Sequence, residues 1–295
     1  MTIDASLWFA EPPRAGFQQR FQMKGLLFQT TSPYQLIEIY DSVSFGRMLV
    51  LDQAVQLTER DEFTYHEMLV DPALITHPNP SSVLIVGGGD GGTMRRALDH
   101  PVKRVVQVEI DARVVEVCRQ YLPSVAGGAF SDPRGTLLID DANRFVAATS
   151  EKFDVVLVDS TDPIGPAAVL FSEGFYRRLR GLLSEDGVVA TQSGSPLLML
   201  RELLEAQQTM KRVFPLVRTY LACVPCYPGL VWSFTLASLG RDPLEVAKEE
   251  ITRRLSTLSG ERRFYTPDVH AGCFALPRFL QEALEGGTIF EVFGA

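Results

Sequence analysis

Six acidic residues of this chain stand where predicted β-strands end: Asp90, Glu109, Asp140, Asp141, Asp159 and Asp162. The carboxyl ends of parallel strands lie along one edge of a sheet, so we expect these carboxylates to meet there. Six negative charges at one edge would repel one another unless a cationic group lay among them. Helix capping explains one or two such acids, but not six. The pattern therefore predicts a site for a positively charged small molecule.

The order of these acids along the chain divides the predicted site into two parts. Glu109 ends the second strand, where a carboxylate can accept hydrogen bonds from a ribose diol, each worth about 1.5–3 kcal/mol. Asp141 follows the third strand and can accept an adenine amino group. Asp90, Asp159 and Asp162 remain for a cation. A nucleoside that carries a sulfonium and an amine fits this edge better than a nicotinamide cofactor, whose pyrophosphate would face carboxylates.

A glycine-rich loop surrounds Asp90. Residues 83–92 are Val-Leu-Ile-Val-Gly-Gly-Gly-Asp-Gly-Gly, in which Gly87, Gly89 and Gly92 have the G-x-G-x-x-G spacing. Glycines let the backbone turn sharply and approach a flat ligand, and a helix that starts after them offers free N–H groups. The same spacing occurs in tight turns without a ligand. The apolar strand before the loop and the acid at 109 favour a nucleoside site.

Alternating strands and helices after residue 81 would position these side chains. Strands are predicted at 83–86, 105–110, 136–139, 155–159 and 188–192, with an antiparallel edge pair at 217–224 and 230–237. Helices are predicted at 93–99, 112–122, 142–149, 173–183, 197–214, 243–258 and 277–284, the fifth of them capped by Ser195. This alternation is typical of a doubly wound, mostly parallel α/β sheet.

Residues 1–62 have a different pattern. Short apolar segments at 26–31, 35–40, 47–51 and 54–58 are separated by turn residues, which predicts a small antiparallel sheet. A helical link is predicted at 63–69. We expect two domains, an N-terminal β domain at 1–62 and an α/β domain at 63–295.

Composition narrows the classes of function. The chain has 295 residues and a formal net charge of −8, without a run of lysines or arginines, so no nucleic-acid surface is expected. No segment approaches 18 apolar residues and no secretory start is present, which predicts a cytoplasmic protein without a membrane partner. Cys223 and Cys226 form a C-x-x-C pair, but no second pair or nearby histidine completes a metal site. A redox or metal role for this pair remains the less favoured alternative.

Several motifs resemble those of the spermidine synthases, the polyamine aminopropyltransferases. They are Gly-Gly-Gly-Asp-Gly-Gly at 87–92, Glu109-Ile-Asp111, Asp140-Asp-Ala142, Asp159-Ser-Thr-Asp-Pro-Ile-Gly-Pro-Ala167, Thr58-Glu-Arg-Asp-Glu-Phe-Thr-Tyr-His-Glu-Met68, Val224-Pro-Cys-Tyr-Pro228 and Tyr265-Thr-Pro-Asp-Val-His270. The resemblance implies a methyltransferase-like Rossmann domain after an N-terminal β domain. It also implies transfer of an aminopropyl group from decarboxylated S-adenosylmethionine to a diamine, putrescine above all, with no further cofactor, in a homodimer or homotetramer.

The resemblance also implies roles for individual residues. Contacts to the nucleoside are implied for Gln35, Gly87, Gly89, Glu109, Asp141, Ala142 and Pro166, and a contact to the aminopropyl amine for Asp90. An amine channel is implied at Gln56, Tyr65, His66, Asp159, Asp162 and Tyr227, in which Asp159 would accept the proton. The chain departs from the family at Asp71, where histidine is frequent, at Ala142, at Cys226 and at 191–194, which leaves the acceptor open. Residues 161–170 form either a lid or an ordinary loop. His77 and His100 are expected in solvated loops without a role.

The implied chemistry sets a demand on Asp159. A sulfonium leaves as a neutral thioether, so the displacement requires neither a metal nor a general acid. The attacking amine must be unprotonated, although an alkylammonium has a pKa of about 10.4 and an aspartate one of about 3.9, a gap of about 9 kcal/mol. We therefore expect neighbouring acids and closure of the site to raise the pKa of Asp159, and desolvation to lower that of the amine.

Two other functions use part of the same pattern. The first is an S-adenosylmethionine-dependent methyltransferase of the same fold, but a methyl donor keeps a carboxylate that needs no acid such as Asp90 beside it. The second is a non-catalytic polyamine-binding protein, which needs cation contacts but no positioned base such as Asp159.

Overall fold

The N-terminal sheet of the protein is a five-stranded antiparallel meander. A computed structural model describes residues 7–161 and 165–286. Strands β1 (Leu7–Ala10), β2 (Arg20–Thr31), β3 (Leu36–Ser42), β4 (Gly46–Leu51) and β5 (Ala54–Thr58) lie in chain order across the sheet. The antiparallel sheet is as predicted, but β2 starts six residues before the predicted start at 26, and β1 was not predicted.

Helix α1 (Glu62–Thr76) connects the two sheets. Only its first half was predicted, and Pro72 lies inside its second half. A proline removes one backbone hydrogen bond and usually ends a helix. Here the helix continues, because every residue from Thr64 to Thr76 is buried among β9, β10, β11 and α2. Tertiary packing therefore decides the length of this helix.

The second sheet has seven strands and is mostly parallel. Its strands are β6 (Ser82–Gly87), β7 (Arg104–Glu109), β8 (Gly135–Ile139), β9 (Phe153–Asp159), β10 (Leu183–Gln192), β11 (Leu216–Cys223) and β12 (Val231–Ser238). Their order is β11-β12-β10-β9-β6-β7-β8, in which β12 runs antiparallel to both neighbours. The predicted doubly wound α/β sheet with an antiparallel edge pair is confirmed. The strand order reverses between β6 and β9, which is where such sheets bind ligands.

Helices cover both faces of this sheet. They are α2 (Gly92–Asp99), α3 (Ala112–Tyr121), α4 (Pro123–Ala126), α5 (Ala142–Ala148), α6 (Glu173–Leu182), α7 (Leu200–Lys211), α8 (Lys248–Leu255), α9 (Pro267–Cys273) and α10 (Arg278–Leu284). No helix among the described residues is long and apolar enough to cross a membrane.

Two helix predictions need correction, and two short helices were not predicted. The helix predicted from 197 begins at Leu200, because the hydroxyl of Ser195 accepts the amides of Leu197 and Leu198 in a separate turn. The segment predicted as one helix at 243–258 is a short 3-10 turn followed by α8. The two that were not predicted are α4 and α9.

Packing of the two sheets creates the site. Strand β6 is buried on both faces, with Val83 and Ile85 in one apolar cluster and Leu84 and Val86 in another. The N-terminal sheet packs through Ile37, Ile39 and Leu49 against α3. This contact places the start of β3 beside the carboxyl ends of β6 and β7, and a cavity remains between them.

Candidate active site

A cavity of about 490 Å³ lies between the N-terminal sheet and the carboxyl edge of the second sheet. Twelve of the predicted site residues line it: Gln35, Gln56, Tyr65, His66, Gly87, Gly89, Asp90, Glu109, Asp141, Ala142, Asp159 and Tyr227. Asp162 and the side chain of Pro166 lie outside the described residues, so their predicted contacts stay predictions. Gly165–Phe171, which overlaps the predicted 161–170 segment, is a 3-10 turn whose residues Ala167, Val169 and Leu170 also line the cavity.

The glycine loop brings β6 directly against Asp159. Gly87 and Gly88 have φ angles of +85° and +72°, which residues with a Cβ atom rarely adopt. A Cβ atom at Gly87 would lie 2.2 Å from the carbonyl oxygen of Asp159, and the amide of Gly88 donates to that same oxygen at 2.9 Å. The sequence motif pointed to residues 87, 89 and 92, whereas positive φ angles call for glycine at 87, 88 and 91, and the close approach of His66 also calls for it at 92.

The carboxylate of Asp159 is held on both oxygens. The Tyr65 hydroxyl donates to Oδ1 at 2.8 Å, and the Thr93 hydroxyl donates to Oδ2 at 2.6 Å. Burial raises the pKa of Asp159, and the negative charge of Asp90 adds to the increase. This is the direction that a proton-accepting aspartate requires. Thr93 was missed by the sequence analysis, because a threonine in the first turn of a helix carries no signal of its own.

Asp90 lies across the loop from Asp159 and contacts a cationic side chain. Its Oδ1 accepts the amide of Gly92 at 2.7 Å and lies 3.3 Å from Nε2 of His66. Burial alone lowers the pKa of His66, but Asp90 and Glu62 outweigh it and raise this pKa to about 10. His66 is therefore an imidazolium at neutral pH.

The other end of the cavity carries the polar groups predicted to hold a nucleoside. Burial raises the pKa of Glu109 to about 7, and its Oε1 accepts the amide of Asp111 at 2.8 Å. The side-chain amide of Gln35 donates to Oδ2 of Asp111 at 2.9 Å, which ties the start of β3 to the end of β7. Asp141 caps α5 by accepting the amide of Asn143 at 2.7 Å. Asp111 was quoted only as part of a motif, although its side chain fixes Gln35.

An aromatic wall lies beside Asp159. The rings of Tyr65 and Tyr227 have centroids 5.6 Å apart, and those of Tyr227 and Trp232 are 4.5 Å apart. The Tyr227 hydroxyl donates to the backbone carbonyl of Gln56 at 2.7 Å. Trp232 and Gln19 also line the cavity, each with a buried polar atom, Nε1 and Oε1, that has no hydrogen-bond partner among the described residues. Both were missed, because neither belongs to a motif.

Two acids that the sequence analysis singled out, one at a strand end and one as a departure from the family, lie outside the site. Asp140 pairs with Arg144 on the surface, so adjacent Asp140 and Asp141 point to different environments. Asp71 lies in the second half of α1 and does not line the cavity. Its carboxylate contacts Nε2 of His100 at 2.7 Å and Nε of Arg262 at 2.7 Å. The expectation that Asp71 bears on acceptor choice is therefore not supported by its position.

Two histidines and the C-x-x-C pair lie outside the cavity lining. His77 and His100 were expected to be solvated, but both are buried, because Arg254 donates to the carbonyl of His77 and the ring of His100 contacts Asp71. Cys223 is exposed and Cys226 is buried, both as free thiols, so the C-x-x-C pair spans two environments. The amide of Cys226 donates to Oδ2 of Asp61 at 2.7 Å, which fixes the loop that carries Tyr227.

Among the described residues, one group could hold a metal ion by its spacing. Ligand atoms of His66, Asp90 and Asp159 all lie within 4.8 Å of one another. A metal-binding histidine nitrogen must be unprotonated, whereas Asp90 and Glu62 raise the pKa of His66 to about 10. The donor set therefore fits an organic ammonium better than a metal ion.

Comparison with known proteins gives one family. A model described as spermine/spermidine synthase domain matches residues 62–243, and one described as spermidine synthase tetramerisation domain matches residues 7–59. The chain is 44% identical over 277 residues to a polyamine aminopropyltransferase of Desulforudis audaxviator, covering 94% of this chain and 98% of the relative. It is 42% identical over 280 residues to one of a Thermoanaerobacter species, covering 95% and 99%.

Solved structures agree with this result. A crystal structure of spermidine synthase in complex with the transition-state analogue AdoDATO matches with a TM-score of 0.90 and 36% identity over 95% of each chain. The spermidine synthase of Thermotoga maritima matches with a TM-score of 0.87 and 35% identity, covering 95% of this chain and 94% of that one.

Proposed function

Because this chain belongs to the spermine/spermidine synthase family, we propose that it transfers the aminopropyl group of decarboxylated S-adenosylmethionine to a diamine. The observation that carries the proposal is the position of Asp159. Its carboxylate has a raised pKa, is held by Tyr65 and Thr93, and lies in the same cavity as the acids of a nucleoside site. Putrescine is the proposed acceptor, which would give spermidine and methylthioadenosine.

The reaction is an in-line displacement at carbon. The lone pair of the acceptor amine forms a bond to the carbon beside the sulfonium, and the carbon–sulfur bond breaks with its electrons going to sulfur. The amine nitrogen loses one proton, which Asp159 accepts. The cavity positions the two reactants, so the step becomes effectively unimolecular. Tyr65 and Thr93 hold the base in place during this step.

The donor is proposed to lie along the ends of β6, β7 and β8. Glu109 would accept the ribose hydroxyls, while Asp141 and Ala142 would contact the adenine, and Gln35 would cover the nucleoside from β3. Gly87 and Gly89 would let the backbone approach the ligand closely. The aminopropyl ammonium would then reach Asp90.

The acceptor is proposed to lie along the aromatic wall. Tyr65, Tyr227 and the backbone next to Gln56 would surround its methylene groups, since aromatic rings bind an alkyl chain and also attract an ammonium. His66 and Asp159 would lie at its reacting end. Asp162 belongs to the same proposed channel on the ground of the sequence resemblance alone.

One assay tests this function against its alternatives. Purified protein is incubated with decarboxylated S-adenosylmethionine and one amine at a time: putrescine, cadaverine, agmatine, diaminopropane or spermidine. The products are identified by mass spectrometry. We expect one aminopropyl group on the acceptor for each methylthioadenosine released. Methyl transfer from ordinary S-adenosylmethionine, or amine binding without any turnover, would instead identify the methyltransferase or the non-catalytic binder.

We further propose that residues 1–62 assemble the protein and that residues 63–295 carry the reaction. The N-terminal sheet matches a tetramerisation domain and exposes large apolar side chains, among them Leu7, Trp8, Leu26 and Leu27. Exposed apolar side chains of this size are suited to burial in an interface between subunits. Light scattering coupled to size-exclusion chromatography should give a homodimer or homotetramer, and a monomeric mass would contradict this assignment.

A further inference from the structure

A row of four alternating charges runs from the surface of α2 into the site. The guanidinium of Arg95 contacts Oε1 of Glu62 at 2.6 Å, and Oε2 of Glu62 contacts Nδ1 of His66 at 2.6 Å. Nε2 of His66 then lies 3.3 Å from Oδ1 of Asp90. The side chains become more buried toward the middle of the row, from 23% exposed at Arg95 to 10% at Glu62 and 2% at His66.

The imidazole ring of His66 has little freedom to rotate. A Cβ atom on Gly92 would lie 2.2 Å from its Cε1, so the ring packs directly against the start of α2. The ring of Tyr65 meets it edge-on with centroids 5.5 Å apart. Since each ring nitrogen faces a carboxylate, both nitrogens must carry hydrogen to be satisfied.

The charged groups around His66 come from four segments of the chain. Glu62 lies on its own helix, Asp90 on the glycine loop, and Asp159 at the end of β9, while Arg95 and its neighbour Arg96 act from α2 on Glu62. Three carboxylates therefore outweigh the cations near the ring. This balance keeps His66 charged in spite of burial.

Asp90 is fixed on one oxygen. The amide of Gly92 and Nε2 of His66 both contact Oδ1, so Oδ2 is the oxygen that neither of them uses. A carboxylate anchored in this way presents its second oxygen in one direction. This is the geometry needed to receive an ammonium group.

We propose that Glu62 is a positioning residue, which holds His66 as a cation aimed at Asp90 and thereby fixes Asp90 for the amine end of the donor. This inference rests on the proposed function, because it assigns Asp90 to the aminopropyl ammonium. Glu62 does not line the cavity and acts only through His66. Its spacing to His66, four residues along one helix, places both side chains on one face.

Calorimetric titration of Glu62→Gln with two ligands separates this role from a general loss of structure. Decarboxylated S-adenosylmethionine has the ammonium that Asp90 would hold, and methylthioadenosine has the same nucleoside without it. We expect Glu62→Gln to weaken binding of the first about tenfold and to leave binding of the second within about twofold. Glu116→Gln, which removes an exposed carboxylate paired with Arg113, is the matched control and should change neither.

The charge of His66 gives a second readout. In NMR titrations, the pKa of His66 should be near 10 in the parent and at least one unit lower in Glu62→Gln, with the signal assigned through His66→Gln. Glu62→Asp keeps the charge but shortens the side chain, so it should cause the same selective loss of donor affinity. It takes the place of Glu62→Gln if that variant does not fold.

The outcomes separate this inference from the proposed function. A parent protein that binds no decarboxylated donor contradicts the proposed function itself. A parent that binds it, together with Glu62 variants that retain both donor affinity and the His66 pKa, overturns the role of Glu62 alone. Equal loss of both ligands in the variants also overturns it, because the effect would then be general.

Discussion

The phenol oxygen of Tyr65 donates a 2.8 Å hydrogen bond to Oδ1 of Asp159, across 94 residues of sequence. This bond joins α1 to the carboxyl end of β9, so the helix between the two sheets and the sheet edge share one polar contact. Thr93 holds the second oxygen from α2. Two side chains, Tyr65 and Thr93, thus hold the carboxylate that we propose as the base. Each of them can be substituted without altering Asp159 itself.

Asp159→Asn should abolish the proton acceptor and leave the binding of the nucleoside intact. We expect the single-turnover rate to fall by about 10²- to 10⁴-fold, the usual contribution of a positioned base. Asp140→Asn is the matched control, because Asp140 also follows a strand but pairs with Arg144 on the surface. A rate within a few fold of the parent would show that Asp159 is not the base.

Tyr65→Phe should move the pH profile of kcat in a defined direction. The Tyr65 hydrogen bond lowers the pKa of Asp159 against the increase caused by burial and Asp90. Without this bond the pKa rises further, so the unprotonated base appears only at higher pH and the acidic limb shifts upward. Thr93→Val should shift the profile in the same direction. An unchanged limb, or one moved to lower pH, would contradict the assignment.

Asp90→Asn should reduce discrimination between two donors. Ordinary S-adenosylmethionine keeps a carboxylate, which Asp90 would repel, and like charges at such a site cost several kcal/mol. About 3 kcal/mol corresponds to more than a hundredfold preference for the decarboxylated donor in the parent. Asp90→Asn should bring the two dissociation constants to within about tenfold of each other in calorimetry. Equal binding of both donors by the parent would contradict the role of Asp90.

Nucleoside binding should depend on pH through Glu109. Burial raises the pKa of Glu109 to about 7 in the free protein, so below that pH the group is protonated. A ribose diol donates to the carboxylate form, and binding must then release the proton. Affinity for methylthioadenosine should therefore rise with pH up to about 7 and level off above it. Calorimetry in buffers of different ionisation enthalpy should detect the proton release.

Glu109→Gln is the variant that tests the same group. It should weaken methylthioadenosine binding by about ten- to a hundredfold, the value of hydrogen bonds to a charged group. It should also remove the pH dependence below 7. A pH dependence that persists in this variant would assign the proton to another group.

Asp71→Asn should affect stability and leave acceptor preference unchanged. Burial raises the pKa of Asp71, but the hydrogen bond from His100 and the charge of Arg262 outweigh it and hold this pKa below its usual value. Burial lowers the pKa of His100, so Arg262 is the cation of this cluster. Removing one partner of a buried charge pair costs about 3 kcal/mol, measurable by denaturant unfolding.

The pH dependence of that stability has a definite sign. A depressed carboxyl pKa contributes stability above the unfolded-state pKa and loses it as the pH falls through the folded value. The stability difference between the parent and Asp71→Asn should therefore shrink in acid. A changed ratio of products from the amine panel would contradict the assignment of Asp71 to structure alone.

Local patterns in the amino-acid sequence are sufficient to predict the sheet and the acids at its edge. Strand–helix alternation is a local pattern that predicts a parallel sheet. In such a sheet the strands end at one edge, which places Asp90, Glu109 and Asp159 together there. The glycine loop was found for the same reason, since a tight turn after a strand needs its residues in sequence. The four-residue spacing of Glu62 and His66 is also visible in the sequence, although it did not contribute to the predicted site.

Long-range packing, by contrast, sets which side chains reach the cavity and which charges they carry. Asp140 and Asp141 are neighbours in sequence, yet only Asp141 lines the cavity, because one points into the site and the other pairs with Arg144. Trp232 lines the cavity from a segment without a motif, and Thr93 contacts Asp159 from the first turn of α2. The cation at His66 and the raised pKa of Asp159 depend on burial and on carboxylates brought together from distant segments, and electrostatic energy is set by distance in space.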